Sequence, residues 1–147
     1  MKRLPTLLLL LLVLATSQAF AQRSFQLRIG IPGPTLGFGI EADLRRNLVA
    51  NIYGDLLFQG PSFILGGEVL FKPDLGEFDR DLSGIKPYIG GGLGVLFPSS
   101  VALALTIDAG IEFSIDRSTG LFIGGQGIFP FANRGTSSRV LLGATFR

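Results

Sequence analysis

Carboxylates and bases are the residues of this chain that could do chemistry, because the sequence contains no histidine and no cysteine. A Ser-His-Asp or Cys-His catalytic site, a thiolate nucleophile and a histidine-ligated metal are therefore excluded. Two carboxylate pairs remain, Glu41 with Asp43 and Asp108 with Glu112, and such pairs can act as general acid and base. Because they alternate with apolar residues and fall among bases, we predict ion pairing, with neither catalysis nor a cofactor.

The charged residues lie on one face of alternating segments along the whole chain. That face holds six acids and five bases, so it is close to neutral. An unpaired charge inside a narrow barrel would be costly, so we predict that these side chains pair across the lumen. The candidates for lumen ion pairs are Arg28, Glu41, Asp43, Arg45, Glu68, Lys86, Asp108, Glu112 and Arg139, and Asp55 and Lys72 lie on the same face.

Residues 74–81 form a loop with four carboxylates in eight residues, a concentration of acidic side chains that could form a binding site. Carboxylate oxygens suit Ca²⁺, but the spacing does not match an EF-hand and Arg80 lies among the acids. A solvated turn is therefore the better interpretation. The run Gly90–Gly94 resembles a phosphate loop only superficially, because no helical pattern and no Lys-Ser/Thr follows it.

Residues 1–21 have the pattern of a secretory signal peptide. Lys2 and Arg3 precede a leucine-rich stretch, and an A-x-A cleavage site ends at Ala21, so the mature chain would begin at Gln22. The apolar stretch is too short for a membrane-spanning helix, which needs about 20 residues. Residues 22–147 are then one domain.

The net charge of the chain comes from this leader. The sequence has 13 basic and 11 acidic residues, and removal of Lys2 and Arg3 leaves 11 of each. A nucleic-acid partner would need a clustered basic face, so none is predicted. Disulfides are excluded by the absence of cysteine, although the exported compartment would permit them.

Apolar and polar residues alternate in eight segments of about ten residues, the length of a transmembrane strand. The alternation is clearest in the sixth segment, whereas Val49, Leu57, Phe122 and Ile128 fall on the polar side of the third and seventh. We predict an all-β fold, an eight-stranded antiparallel up-and-down transmembrane β-barrel that follows a cleaved signal peptide. The predicted strands are residues 24–31, 36–45, 48–58, 62–72, 85–97, 102–115, 120–129 and 138–147.

The orientation of the two faces decides where such a barrel resides. The apolar face carries no charge in any of the eight segments, as lipid requires, because a charge at mid-bilayer costs about 2–4 kcal/mol. Only 16% of the chain is charged and its mean hydropathy is +0.48, which is unusual for a soluble surface. The alternative is a secreted soluble barrel that buries the apolar face.

The segment Lys86–Gly94 reads K-P-Y-I-G-G-G-L-G. It resembles a strand of the small outer-membrane β-barrel proteins of the OmpA/OmpW-like type. Gly143 and Phe146 also resemble that family's C-terminal assembly signal, although Arg147 follows the aromatic residue. The resemblance implies an outer-membrane location in bacteria, lipid as a partner, and recognition of the last strand by the barrel-assembly machinery.

The resemblance also implies a periplasmic N-terminus. Connections 31–35, 59–62, 98–101 and 130–137 would then be extracellular, and the longer connection 73–84 would be periplasmic. Membrane barrels more often have their longer loops outside.

The expected function is that of a non-enzymatic outer-membrane barrel with a plugged lumen and a structural or surface-interaction role. Eight strands leave an interior just wide enough for side chains. Two alternatives are a narrow pore or transporter for small or hydrophobic molecules, and a secreted soluble barrel that binds a ligand.

The assignment of faces predicts unequal effects of charge at two neighbouring positions. Ile107→Arg should impair membrane insertion, because a charge at mid-bilayer costs about 2–4 kcal/mol. Thr106→Arg places its charge on the other face, where space and pairing in the lumen decide its effect. Insertion into lipid vesicles compares them, and equal tolerance at both positions would contradict the assignment.

Overall fold

The computed structural model describes residues 23–58, 62–97, 101–131 and 135–147, and these form a closed antiparallel barrel of eight strands in sequential order. β8 pairs with β1, so no sheet edge is left open. The predicted signal peptide and its cleavage site lie outside the described residues. The strands are β1 Arg23–Ile31, β2 Thr35–Arg45, β3 Leu48–Leu57, β4 Ser62–Phe71, β5 Ile85–Phe97, β6 Ala102–Ser114, β7 Thr119–Pro130 and β8 Ser137–Phe146.

The predicted eight-stranded barrel is confirmed, and no strand end differs from the prediction by more than one residue. Two short 3-10 turns, Leu75–Glu77 and Arg80–Leu82, lie between β4 and β5. No helix among the described residues has the length and hydropathy to span a membrane.

The barrel has two distinct ends. The first, called here the termini end, carries the start of β1, the last residue of β8, and the connections 46–47, 72–84 and 115–118. The opposite end, called the far end, carries the connections that follow β1, β3, β5 and β7.

The barrel is apolar outside and polar inside. On β6, Leu103 and Ile107 are each 47% exposed and Ile111 is 39% exposed, whereas Asp108 is 4% and Glu112 0% exposed. This is the reverse of a soluble barrel, which keeps its apolar side chains within. The faces therefore point as the alternation predicts.

The alternation of inward and outward side chains is interrupted near the end of β2. A register shift lies between Asp43 and Arg45, where the strand pairs with the start of β3. Such a bulge breaks the alternation because it inserts a residue without a partner. Ala42, which alternates with Glu41 and Asp43 in the sequence and would therefore face outward, is 2% exposed, while Asp43 and Arg45 are exposed at the termini end.

Two of the four acids in the 72–84 connection accept hydrogen bonds from backbone amides of the same connection. The Asp74 carboxylate accepts hydrogen bonds from the Gly76 and Gly84 amides at 2.8 and 3.2 Å. Asp79 accepts one from the Asp81 amide at 3.0 Å. The bonds from the Gly76 and Asp81 amides cap the two 3-10 turns. The described residues contain no group of three or more acids arranged to hold a metal ion.

The 115–118 turn at the same end is closed by Asp116. Its carboxylate accepts hydrogen bonds from the Ser118 hydroxyl at 2.8 Å, the Ser118 amide at 2.7 Å and the Thr119 amide at 2.8 Å. These bonds, the hydroxyl foremost, lower the pKa of the Asp116 carboxyl below its ordinary value.

Glycines opposite large inward side chains make the narrow interior possible. At these positions the cross-strand partner of a large residue is a glycine, and a Cβ there would overlap the large side chain. The barrel wall is thus thin at four positions where a side chain must fit inside. The pairs are Asp55 with Gly37, Tyr53 with Gly66, Tyr88 with Gly110 and Phe122 with Gly143.

Neighbouring glycines on β4 allow a direct test of this arrangement. Gly66→Ala should lower the free energy of unfolding by about 1–3 kcal/mol, because the new methyl group overlaps the Tyr53 ring. Gly67 faces outward with no atom within 4 Å of its Cβ position, so Gly67→Ala should leave stability unchanged or raise it by up to about 1 kcal/mol. Urea unfolding in lipid vesicles measures both, and equal losses would contradict the packing.

Candidate functional site

The lumen contains a buried network around Asp55, which we call the Asp55 network. Arg28 donates to the Asp55 carboxylate at 2.9 Å, and Arg139 donates to the same oxygen. Arg139 also donates from Nε to Gln126 Oε1 at 2.8 Å. These four residues lie on β1, β3, β7 and β8, so the network links strands that are not neighbours.

Tyr53 and Asp108 extend the Asp55 network. Gln126 donates from Nε2 to the Tyr53 hydroxyl and to Asp108, both at 3.1 Å. The Arg28 guanidinium lies over the Tyr53 ring, 4.1 Å from its centroid, within the range of a cation–π interaction. Each of these groups is nearly inaccessible to solvent, so their mutual contacts replace hydration.

A second network, called the Lys72 network, lies nearer the termini end. Lys72 Nζ contacts Glu41 at 2.9 and 3.0 Å and Glu112 at 2.6 Å. Glu112 also accepts from Thr145 at 3.0 Å and from Arg147. One buried ammonium therefore joins carboxylates from β2 and β6, across the barrel.

A small void lies between the two networks. Its volume is about 20 Å³, and Arg28, Asn51, Glu68 and Asp108 are among its lining residues. Asn51 donates to Glu68 at 2.8 Å beside it. The interior is otherwise filled here by side chains, as expected for eight strands.

Towards the far end the lumen becomes apolar. Tyr53, Ile64, Ala104 and Ile128 form a buried cluster, and Leu57 and Leu96 pack against it. This explains the weak alternation of the third and seventh strands, in which Leu57 and Ile128 lie on the polar side of the sequence pattern. The pattern is blurred because part of the lumen is apolar.

The termini end opens into a wide mouth. A cavity of about 740 Å³ lies there, above the Lys72 network. Its charged lining residues are Arg23, Glu41, Asp43, Arg45, Arg46, Lys72, Asp74, Glu77, Lys86, Arg117 and Arg147.

The nine sequence candidates separate into two groups in the structure. The residues at the mouth are Asp43 and Arg45, both exposed, and Lys86, whose side chain is 25% exposed and 3.9 Å from Asp74. They differ from the prediction because the bulge in β2 and the early position of Lys86 in β5 place them beyond the closed lumen. The buried residues are Arg28, Glu41, Glu68, Asp108, Glu112 and Arg139. Among the described residues Glu68 and Asp108 form no ion pair, in contrast to the prediction, and accept hydrogen bonds from Asn51 and Gln126 instead.

Sequence reasoning missed the parts played by Gln126 and Arg147. Gln126 is 1% exposed and bridges a base to an acid, and its position on the polar face was the only available signal. Arg147 follows the predicted aromatic end of the strand. In the structure its amide donates to the Ser118 carbonyl at 2.8 Å and its guanidinium pairs with Glu112.

The two carboxylate pairs named in the sequence are divided among different contacts in the structure. Glu41 and Glu112 both bind Lys72, and Asp108 accepts from Gln126. A general acid or base must reach a substrate proton; Asp108 and Glu112 are buried, whereas Glu41 and Asp43 line the cavity at the termini end.

The fold is that of small outer-membrane β-barrels. The N-terminal barrel of Pseudomonas aeruginosa OprF is similar with a TM-score of 0.72 and 12% identity, over 84% of this chain and 95% of that one. Neisserial surface protein A matches with a TM-score of 0.60 and 12% identity, over 84% and 92%. A transmembrane barrel designed de novo matches with a TM-score of 0.68 and 10% identity, over 86% and 95%.

These identities show a common fold and nothing finer. No family model matches the chain, and no curated protein is similar to it in sequence.

Removal of the shared acceptor should destabilise the Asp55 network. Asp55→Asn leaves two buried guanidiniums, Arg28 and Arg139, without their carboxylate, so stability should fall by about 3–5 kcal/mol. Asp81→Asn removes the same charge from an exposed position and should change stability by no more than about 0.5 kcal/mol. Urea unfolding of both variants in lipid vesicles measures the difference, and similar losses would show that the network contributes little.

Proposed function

We propose that this protein is an integral outer-membrane β-barrel with a plugged lumen, which serves the bacterial cell envelope through a structural or surface-interaction role and is not an enzyme. The observation that carries the proposal is the inside-out polarity of a closed barrel. A band of exposed apolar side chains surrounds a lumen of buried charges, and the solved structures of the same fold are membrane barrels.

A closed barrel also satisfies its own backbone, as a bilayer demands. The hydrocarbon core offers no hydrogen bonds, so only helices and closed barrels span it. Here every strand pairs on both sides, including β1 with β8. The soluble alternative is disfavoured because it would leave large residues such as Phe25, Leu27 and Ile29, each more than half exposed, in contact with water.

The packing of the lumen supports the plug. The apolar cluster at the far end, the Asp55 network and the Lys72 network follow one another along the interior, with a void of only about 20 Å³ between the networks. Solute passage would require these layers to separate. Planar-bilayer recordings without discrete conductance steps would agree with a plug, whereas discrete steps would favour the alternative of a narrow pore.

The partners of the protein follow from the same surface. Lipid acyl chains would contact the outward residues of all eight strands. The last strand, with Val140, Leu142 and Phe146 facing outward, is the proposed signal for the barrel-assembly machinery. By resemblance to the family, the termini end would face the periplasm.

Membrane fractionation tests the proposed location. The protein should be recovered in the outer-membrane fraction and require detergent for extraction. The folded barrel should also migrate differently on gels before and after boiling, because a closed barrel resists unfolding by detergent alone. Recovery in the soluble fraction without detergent, with one mobility boiled and unboiled, would overturn the proposal.

A further inference from the structure

We propose that the wide mouth at the termini end is a binding site for a multivalent anion that carries phosphate or carboxylate groups. The mouth is a cavity of about 740 Å³, within the size range of ligand pockets. Its lining is polar and charged, unlike the apolar far end of the lumen. The inference concerns the folded barrel and does not depend on where the barrel resides.

Positive charge exceeds negative charge around this cavity. Seven bases and four acids line it, and the buried Glu112 beneath them raises the number of acids to five. A concave site with one dominant sign of charge concentrates its field in the opening. The chain as a whole has no comparable imbalance after residues 1–21, where 11 bases and 11 acids remain.

Two of the arginines are available to a ligand. Among the described residues no carboxylate lies within ion-pair distance of Arg45 or Arg117, and both are exposed. Lys86 is held only loosely, 3.9 Å from Asp74. Lys72 and Arg147, by contrast, already bind the buried acids of the Lys72 network.

The available arginines stand on opposite walls. Arg45 ends β2, and Arg117 lies in the turn between β6 and β7, four strands away in a closed ring of eight. An anion with several charged groups could contact both walls, whereas a monovalent ion would contact one. Guanidinium groups suit this task because they bind phosphate and carboxylate through two parallel hydrogen bonds.

Calorimetric titration of the folded protein in an uncharged detergent at low salt tests the site, with sodium tripolyphosphate as the probe. We expect saturable binding that weakens as salt is added. The double variant Arg45→Gln with Arg117→Gln should bind at least about tenfold more weakly, because it removes the charge-assisted hydrogen bonds of two guanidinium groups.

Arg80→Gln is the matched control, because Arg80 is exposed at the same end but does not line the cavity. It should leave affinity unchanged. Each variant should fold, because both arginines lie outside the closed lumen. The shift in gel mobility on boiling checks that each variant is folded. No binding by the unaltered protein, or equal loss in the control, would overturn the inference.

Lipid headgroups and soluble anions share the chemistry of this site, and nanodiscs distinguish them. The titration is repeated in discs of phosphatidylcholine and of phosphatidylglycerol. If tripolyphosphate binds the unaltered protein more weakly in phosphatidylglycerol than in phosphatidylcholine, and the double variant shows no such difference between the two lipids, headgroups are identified as occupants. Equal affinity in both discs would identify a soluble anion, and no binding in either disc would contradict the site.

Discussion

Neutralisation of charge across the lumen is the interaction on which the rest of the structure depends. Buried charges in this barrel have no bulk water to solvate them, so each needs a polar partner. Most of them are ion-paired across the lumen, and Glu68 and Asp108 accept hydrogen bonds from Asn51 and Gln126. Asp55 receives Arg28 from β1 and Arg139 from β8, while Lys72 joins Glu41 and Glu112. The pairs hold together strands that share no backbone hydrogen bonds.

The glycines and the outer surface follow from this constraint. Long charged and aromatic side chains fit inside only because their cross-strand partners lack a Cβ, as Gly66 does opposite Tyr53. Because the charges lie in the lumen or at the termini end, the outer face of the strands is left to apolar residues. The two ends of the lumen differ, since the charged layers end at an open, charged cavity on one side and at an apolar cluster on the other.

Sequence alone predicts the number of strands, their order and the direction of their faces, because a period of two is a local property. It does not predict partners, since pairing depends on register and on the shear of the barrel. Asp55 and Arg139 are 84 residues apart, and no spacing rule joins them. The bulge that exposes Asp43 and the ion pair of Arg147 with Glu112 are likewise set by tertiary contacts. The alternation therefore placed Asp43 in the lumen wrongly and assigned no partner to Arg147.

Contact between the outer face and acyl chains is the central claim, and fluorescence quenching measures it directly. The chain contains no tryptophan, so a single substitution supplies an unambiguous reporter. In bilayers of lipids brominated along the acyl chain, Ile107→Trp should be strongly quenched, and Arg117→Trp, in the aqueous turn, should not. The opposite result would contradict a barrel embedded in the membrane. In that result the brominated lipid does not quench the Ile107→Trp fluorescence, and aqueous acrylamide quenches it as strongly as it quenches Arg117→Trp.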